Sequence, residues 1–131
     1  MELASLIAAA ADVCLKPNRH AVILVDGSED ISAVSLDDVH VKIESRDPNG
    51  ERRFDFDLEL EVYRSGSDLH LMLSWWDQPE RPMLWQGSHP VWMESDSGRR
   101  CERPRDGAPL ESLGRRLRDL LVGSVNPCRQ S

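Results

Sequence analysis

Leu3, Leu6, Ile7, Ala10, Val13 and Cys14 recur at a spacing that puts them on one stripe of a helix. The pattern predicts an amphipathic helix over residues 2–15, stopped before Pro17 and Asn18. The period then changes. Residues 20–25 are almost continuously apolar and end at Asp26-Gly27, which reads as a strand buried on both faces and central in its sheet, followed by a turn. Residues 31–36 alternate weakly and fit either a short strand or an irregular connection.

Alternation is clearest from Val39 to Trp76. Val39, Val41 and Ile43 interleave with His40, Lys42 and Glu44, and after Asp47-Pro48-Asn49-Gly50 the residues Phe54, Phe56, Leu58, Leu60 and Val62 interleave with Asp55, Asp57, Glu59 and Glu61. A four-residue loop at 47–50 would pair Arg46 with Glu51, Glu44 with Arg53, Lys42 with Asp55 and His40 with Asp57, with Ile43 opposite Phe54 on the inner face. A second hairpin turns around Ser65-Gly66-Ser67. It sends Leu69, Leu71, Leu73 and Trp75 inward and His70, Met72, Ser74 and Trp76 outward.

Residues 83–86 and 91–94 read as short edge strands on either side of Gly87-Ser88-His89-Pro90. Residues 95–107, with four Arg and Cys101 as the one apolar side chain, read as a long exposed loop. Leu110, Leu113, Leu117, Leu120 and Leu121 then mark a second amphipathic helix, with Pro109 near its start and Gly123 just past its end. The expected architecture is a single α+β domain over residues 1–123: an antiparallel, meandering sheet of four to six strands, flanked by N-terminal and C-terminal amphipathic helices. Residues 124–131 are expected to form a flexible tail.

Charge changes this picture in one respect. The 131 residues carry 16 basic and 23 acidic side chains, net -7, but residues 1–98 are net -11 and residues 99–131 are net +4. An acidic body argues against attraction to nucleic acid or anionic lipid, and no apolar run approaches membrane-spanning length. Three cysteines, Cys14, Cys101 and Cys128, cannot all pair within one chain and share no metal-binding spacing, which favours a reducing compartment. The alanine-rich stretch 3–11 superficially fits a signal core, yet Glu2 precedes it and Asp12 follows it, so it is expected to be retained as a helix in a cytoplasmic protein.

Four groups of residues could carry chemistry. The carboxylate row Asp55, Asp57, Glu59 and Glu61 suits a cation or an acid and base pair, but is better read as the solvated face of a sheet neutralised by its neighbours. His40, His70 and Asp57 could approach one another on adjacent strands, although no short ligand spacing links them, so no metal or other cofactor is expected. Cys101 lies among Arg99, Arg100, Arg103 and Arg105, which should lower its thiol pKa, with His89 the base nearest in sequence. All four tryptophans fall within 18 residues, dividing between a core role and a partly exposed Met and Trp patch with a carboxylate rim.

These features favour a non-enzymatic protein-binding module of adaptor, chaperone or assembly-factor type, with self-association as one form of it. The expected contacts are Tyr63, Met72 and Trp76 as apolar groups, and Arg99, Arg100, Arg103, Arg105, Arg115, Arg116 and Arg118 as charged ones, docking on a protein partner or a second copy. The alternative is a small enzyme, or a domain binding a small molecule or metal, that uses polar residues of the outer sheet face.

Overall fold

The computed structural model describes residues 3–25 and 38–125. Helix α1 spans Leu3–Cys14, and strands β1 (Arg19–Leu24), β2 (Asp38–Arg46), β3 (Leu58–Ser65), β4 (Asp68–Trp75), β5 (Met83–Gln86) and β6 (Pro90–Met93) follow, then helix α2 (Ala108–Val125). The strands form one antiparallel sheet in chain order, so the fold is an α+β meander flanked by two terminal helices. The expected strand at 31–36 and the last six residues of the expected tail lie outside the described residues.

Each inward row of the sheet is apolar because strand side chains alternate between faces. Cross-strand pairing sets Leu24, Val41, Leu60, Leu73, Leu84 and Trp92 in one line across all six strands. Both helices press on this face and one core results, with Ile7, Ala10 and Ala11 from α1 and Leu110, Leu113, Leu117 and Leu121 from α2. Trp75 and Trp92 stack within it at 6.2 Å between ring centroids, and Trp92 Nε1 donates to Glu111 Oε2 at 2.6 Å, tying β6 to α2.

Three expectations are corrected. β1 is an edge strand rather than a central one, and its burial alternates: Val22 and Leu24 are half-buried while Ile23 is 47% exposed. The helices reach only one face of it, so an unbroken apolar run was no sign of burial on both sides.

The β2–β3 hairpin has a different register. Lys42 faces Glu59 and Ile43 faces Leu58, four residues beyond the expected Asp55 and Phe54. The turn begins as expected, with Gly50 at φ 89°, but after the isolated Arg46 and Arg52 bridge the chain leaves the ladder as a 3₁₀ turn, Phe54–Phe56. Phe54 and Phe56 are 69% and 40% exposed, lying under the guanidinium groups of Arg52 and Arg53.

The segment 95–107 is the exposed loop expected, with one stretch of it held against β6. Gly98 turns the chain at φ 72°, Glu94 N–H bonds Arg99 O at 2.8 Å and Cys101 N–H bonds Trp92 O at 2.9 Å, so residues 99–101 run alongside β6. Cys101 packs against the core. The second helix also runs two residues past Gly123.

Truncating a core leucine should therefore cost far more than truncating the turn phenylalanine. Leu73→Ala is expected to lose about 2–5 kcal/mol in urea unfolding, and Phe54→Ala less than about 1 kcal/mol. Equal losses would restore the uninterrupted β3 register.

Candidate interface on the outer sheet face

The face turned away from the helices is built from the other half of each strand's residues. Pairing aligns His40, Glu61, Met72, Trp85 and Val91 in one row, and Lys42, Glu59 and Ser74 in the next. Met83 pairs with Met93. Charge thus gathers over β2 and β3, and thioether and aromatic groups gather over β4 to β6. Met72, Met83, Trp85, Val91 and Met93 are all half-buried, without a helix over them among the described residues.

Three rings stiffen one end of this face. Trp85 Nε1 donates to Tyr63 Oη at 2.6 Å, and the His70 ring lies 4.9 Å from Trp85 and 5.5 Å from Tyr63 between centroids. Gly87 makes room for the stack: a Cβ there would fall 2.5 Å from Trp85 Cη2 and 3.1 Å from His70 Nδ1.

Next to Met72 lies a cleft of 380 Å³ lined by Glu59, Glu61, Met72, Ser74, Met83 and Pro79, among others. Its wall is the turn after β4, where Asp77 adopts a left-handed φ of 57°. Gln78 Nε2 bonds Asp55 O at 3.0 Å, and Ser95 Oγ bonds Pro79 O at 2.9 Å and Arg81 O at 2.6 Å, which pins that wall.

His40 Nε2 lies 2.5 Å from Glu59 Oε2 and 3.9 Å from Glu61 Oε1. The three side chains offer ligand atoms within 4.8 Å of one another, the one such group among the described residues. The grouping weighed from sequence, His40 with His70 and Asp57, does not form, and His40 pairs across the strands with Glu59 and Glu61 instead. His70 belongs to the aromatic stack, and Asp57 is a structural group.

Asp57 is 1% exposed at the corner where the 3₁₀ turn ends. Its carboxylate accepts from Ser45 N–H at 2.8 Å and from both Arg52 Nη atoms at 2.9 and 2.7 Å, with Lys42 Nζ at 3.8 Å. Burial pushes its pKa up, but the Arg52 hydrogen bonds, the Ser45 N–H and the charges of Arg52 and Lys42 outweigh that and hold it below the ordinary carboxylate range. The reading of the acidic row as a solvated face fails at Asp57, because the exposed 3₁₀ turn folds this carboxylate inward.

Cys101 also departs from expectation. Burial and the Glu94 charge raise its thiol pKa, so the neighbouring arginines do not make it a thiolate.

The expected contact residues do not form one patch. Tyr63 and Met72 share the outer face with Trp85. Trp76 lies just past β4, half-buried beneath Lys42 Nζ at 4.8 Å, and its N–H bonds Asp57 O at 2.9 Å. Arg99, Arg100, Arg103 and Arg105 are exposed beside and beyond β6, and Arg103 reaches Glu111 of α2 at 3.4 Å rather than the strand carboxylates. Arg115 and Arg116 are exposed on α2, which belongs to the opposite layer. Arg118 is half-buried and donates Nε to Leu69 O at 3.2 Å, so it ties helix to sheet.

Sequence reasoning missed Arg52, Ser45, Met83 and Met93. The two methionines stand on alternating positions of short strands and were legible in principle. Arg52 and Ser45 became visible only once the 3₁₀ turn was in place.

A six-stranded antiparallel meander with both helices on one face and a mixed acidic and apolar opposite face defines a small α+β domain whose second sheet surface carries no helix among the described residues. No described helix is long and apolar enough to cross a membrane. The chain belongs to the family described as a domain of unknown function, DUF8659, which covers residues 4–120. No curated protein and no solved structure matches the chain.

Two outcomes follow. Because the Asp57 pKa is depressed in the fold, its contribution is complete above the unfolded carboxyl value of about 4 and is lost as pH falls through the folded value. Wild type should therefore lose urea stability more steeply than Asp57→Asn between about pH 5 and pH 2, while being the more stable at neutral pH. Gly87→Ala should cost about 1–3 kcal/mol and shift the His70 ring resonances as the indole is displaced.

Proposed function

We propose that this domain is a non-enzymatic protein-binding module, of adaptor, chaperone or assembly-factor type, that works through the outer face of its sheet. The observation that carries the proposal is the division of labour between faces: both helices are spent on the inner one, while Met72, Met83, Trp85, Val91 and Met93 stand on the other. Adaptable thioethers and an aromatic anchor beside Glu59 and Glu61 have the composition of an interface core with a charged rim. The partner is a protein that presents apolar side chains flanked by Lys or Arg. A second copy of the chain meets that description through its exposed Arg99, Arg100, Arg103 and Arg105. Free Cys14 and Cys101 fit a reducing, cytoplasmic setting, and a net charge of -7 disfavours nucleic acid.

A second function is favoured by one observation, the His40, Glu59 and Glu61 trio, two members of which line the cleft. There the chain would be a small enzyme or a metal-binding domain on the same face.

One pair of measurements separates these readings. In pull-downs from a lysate of the source organism, Met72→Lys should reduce a co-purifying partner at least tenfold, Trp76→Ala should reduce it less, and Arg115→Ala should leave it unchanged. Sedimentation of the purified protein reports self-association with the same variants. If Met72→Lys changes neither, and zinc raises the melting temperature of wild type but not of His40→Ala, the metal-binding reading replaces the first.

A further inference from the structure

The sequence treats the two edges of the sheet differently. β6 opens with Pro90, which has no N–H to offer, and its outer side is taken by residues 99–101, with Cys101 N–H bonded to Trp92 O at 2.9 Å and Arg100 bridged to Met93. β1 has neither protection. From His20 to Leu24 it holds no proline, lysine or glycine, no bulge interrupts its pairing with β2, and no described strand lies on its far side.

Hydrogen bonding fixes which groups of β1 face outward. Val25 N–H bonds His40 O at 3.1 Å, and alternate residues of an antiparallel ladder turn to the same side, so Ile23, Ala21 and Arg19 also face β2. The N–H and C=O groups of His20, Val22 and Leu24 therefore point out of the sheet edge. Side-chain burial agrees. Val22 and Leu24 pair with Ile43 and Val41, which are both fully buried, yet are themselves only half-buried, so the uncovered part of each looks out over the edge. On the outer face Ala21 and Ile23 are exposed. α1 stands over the inner face rather than along the edge: His20 points inward with Val22 and Leu24, and its Nδ1 lies 2.9 Å from Asp12 Oδ1 of that helix.

We propose that β1 pairs with β1 of a second copy, antiparallel about a two-fold axis through Val22, so that two six-stranded sheets become one. Residues opposite each other in such a ladder share a face, so the axis passes through a residue and not between two. Centring on Val22 sets His20 against Leu24 of the second copy and Ala21 against its Ile23. The pairs built on His20, Val22 and Leu24 each exchange two backbone hydrogen bonds, which satisfies every outward N–H and C=O of that stretch. Centring on Ala21 would instead leave Leu24 opposite Asn18, outside the strand. The side chains match as well: short Ala21 sits beside long Ile23, the inner rung is apolar around Val22, and Arg19 falls opposite Val25 rather than another arginine. This self-match in register, size and charge selects a second copy as the occupant. The contact uses the sheet edge and is independent of the outer-face reading above.

The test uses the intact chain. Sedimentation equilibrium of wild type should show a dimer that dissociates on dilution. Val22→Pro removes one outward N–H and sets a ring in its place while leaving every bond to β2, and should weaken the dimer on the order of tenfold or more. Ile23→Lys should act likewise from an exposed position, whereas Met72→Lys should leave the dimer unchanged. Should the edge variants not fold, amide hydrogen exchange of wild type gives the answer. The amides of His20, Val22 and Leu24 should exchange more slowly as concentration rises, and those of Ala21 and Ile23, already bonded to β2, should not change. Wild type that stays monomeric, its edge left to a strand of some other protein, would overturn the proposal. So would a dimer lost in Met72→Lys but kept in both edge variants, or protection that does not alternate along β1.

Discussion

A six-stranded sheet has two faces, and this chain brings two helices to one of them. α1 docks over β1 and α2 over β4 to β6, and the leucines, valines and isoleucines of alternate strand positions vanish beneath them. Burial of that kind supplies most of a small domain's stability, at about 25 cal/mol for each Å² of apolar surface removed from water. The opposite face has to remain tolerable in water, and it does so by dividing. Charges that satisfy one another occupy β2 and β3, and half-buried thioethers and rings that shelter one another occupy β4 to β6. Every feature assigned a working role in the outer surface follows from that one-sided cover.

The same constraint sets what could be learned from sequence. Alternation reports faces, so the inward sets of β2, β3 and β4 were readable, as were both helices and the meander order. It fixes register only modulo two. Shifting the β2–β3 pairing by four residues leaves the side chains of the paired residues on their faces and still sets Lys42 and His40 against carboxylates, now Glu59 and Glu61 in place of Asp55 and Asp57. Within the paired residues the alternation and the charge pairing therefore fit both arrangements. What decides is the bidentate Arg52 and Asp57 pair with the Ser45 N–H, a set of groups from three separate stretches of chain that no local period reveals. Phe54 and Phe56 are the cost, left outside under arginines.

The placement of the candidate contacts was legible by the same logic where a strand carried them and not elsewhere. Tyr63 and Met72 sit on strands with unbroken alternation and were correctly sent outward. The arginines from 99 to 118 have no periodic anchor to the sheet, and charge alone could not tell that Arg118 would bond a strand carbonyl while Arg115 and Arg116 stayed on the far layer. Nor could composition show that residues 99–101 would run beside β6, since that bridge is made by backbone groups common to any residue. His20 escaped notice because it stood in an apolar run, where its ring counted only as an interruption.

The four indoles divide into two optical populations. Trp75 and Trp92 are stacked in the core, whereas Trp76 and Trp85 lie half-exposed on or beside the outer surface, one under an ammonium group and the other against an imidazole. Light emitted by the first pair reports on whether the protein is folded, and light emitted by the second on what stands at its surface. The domain thus carries intrinsic reporters in two settings, the packed core and the outer sheet face, with no label needed.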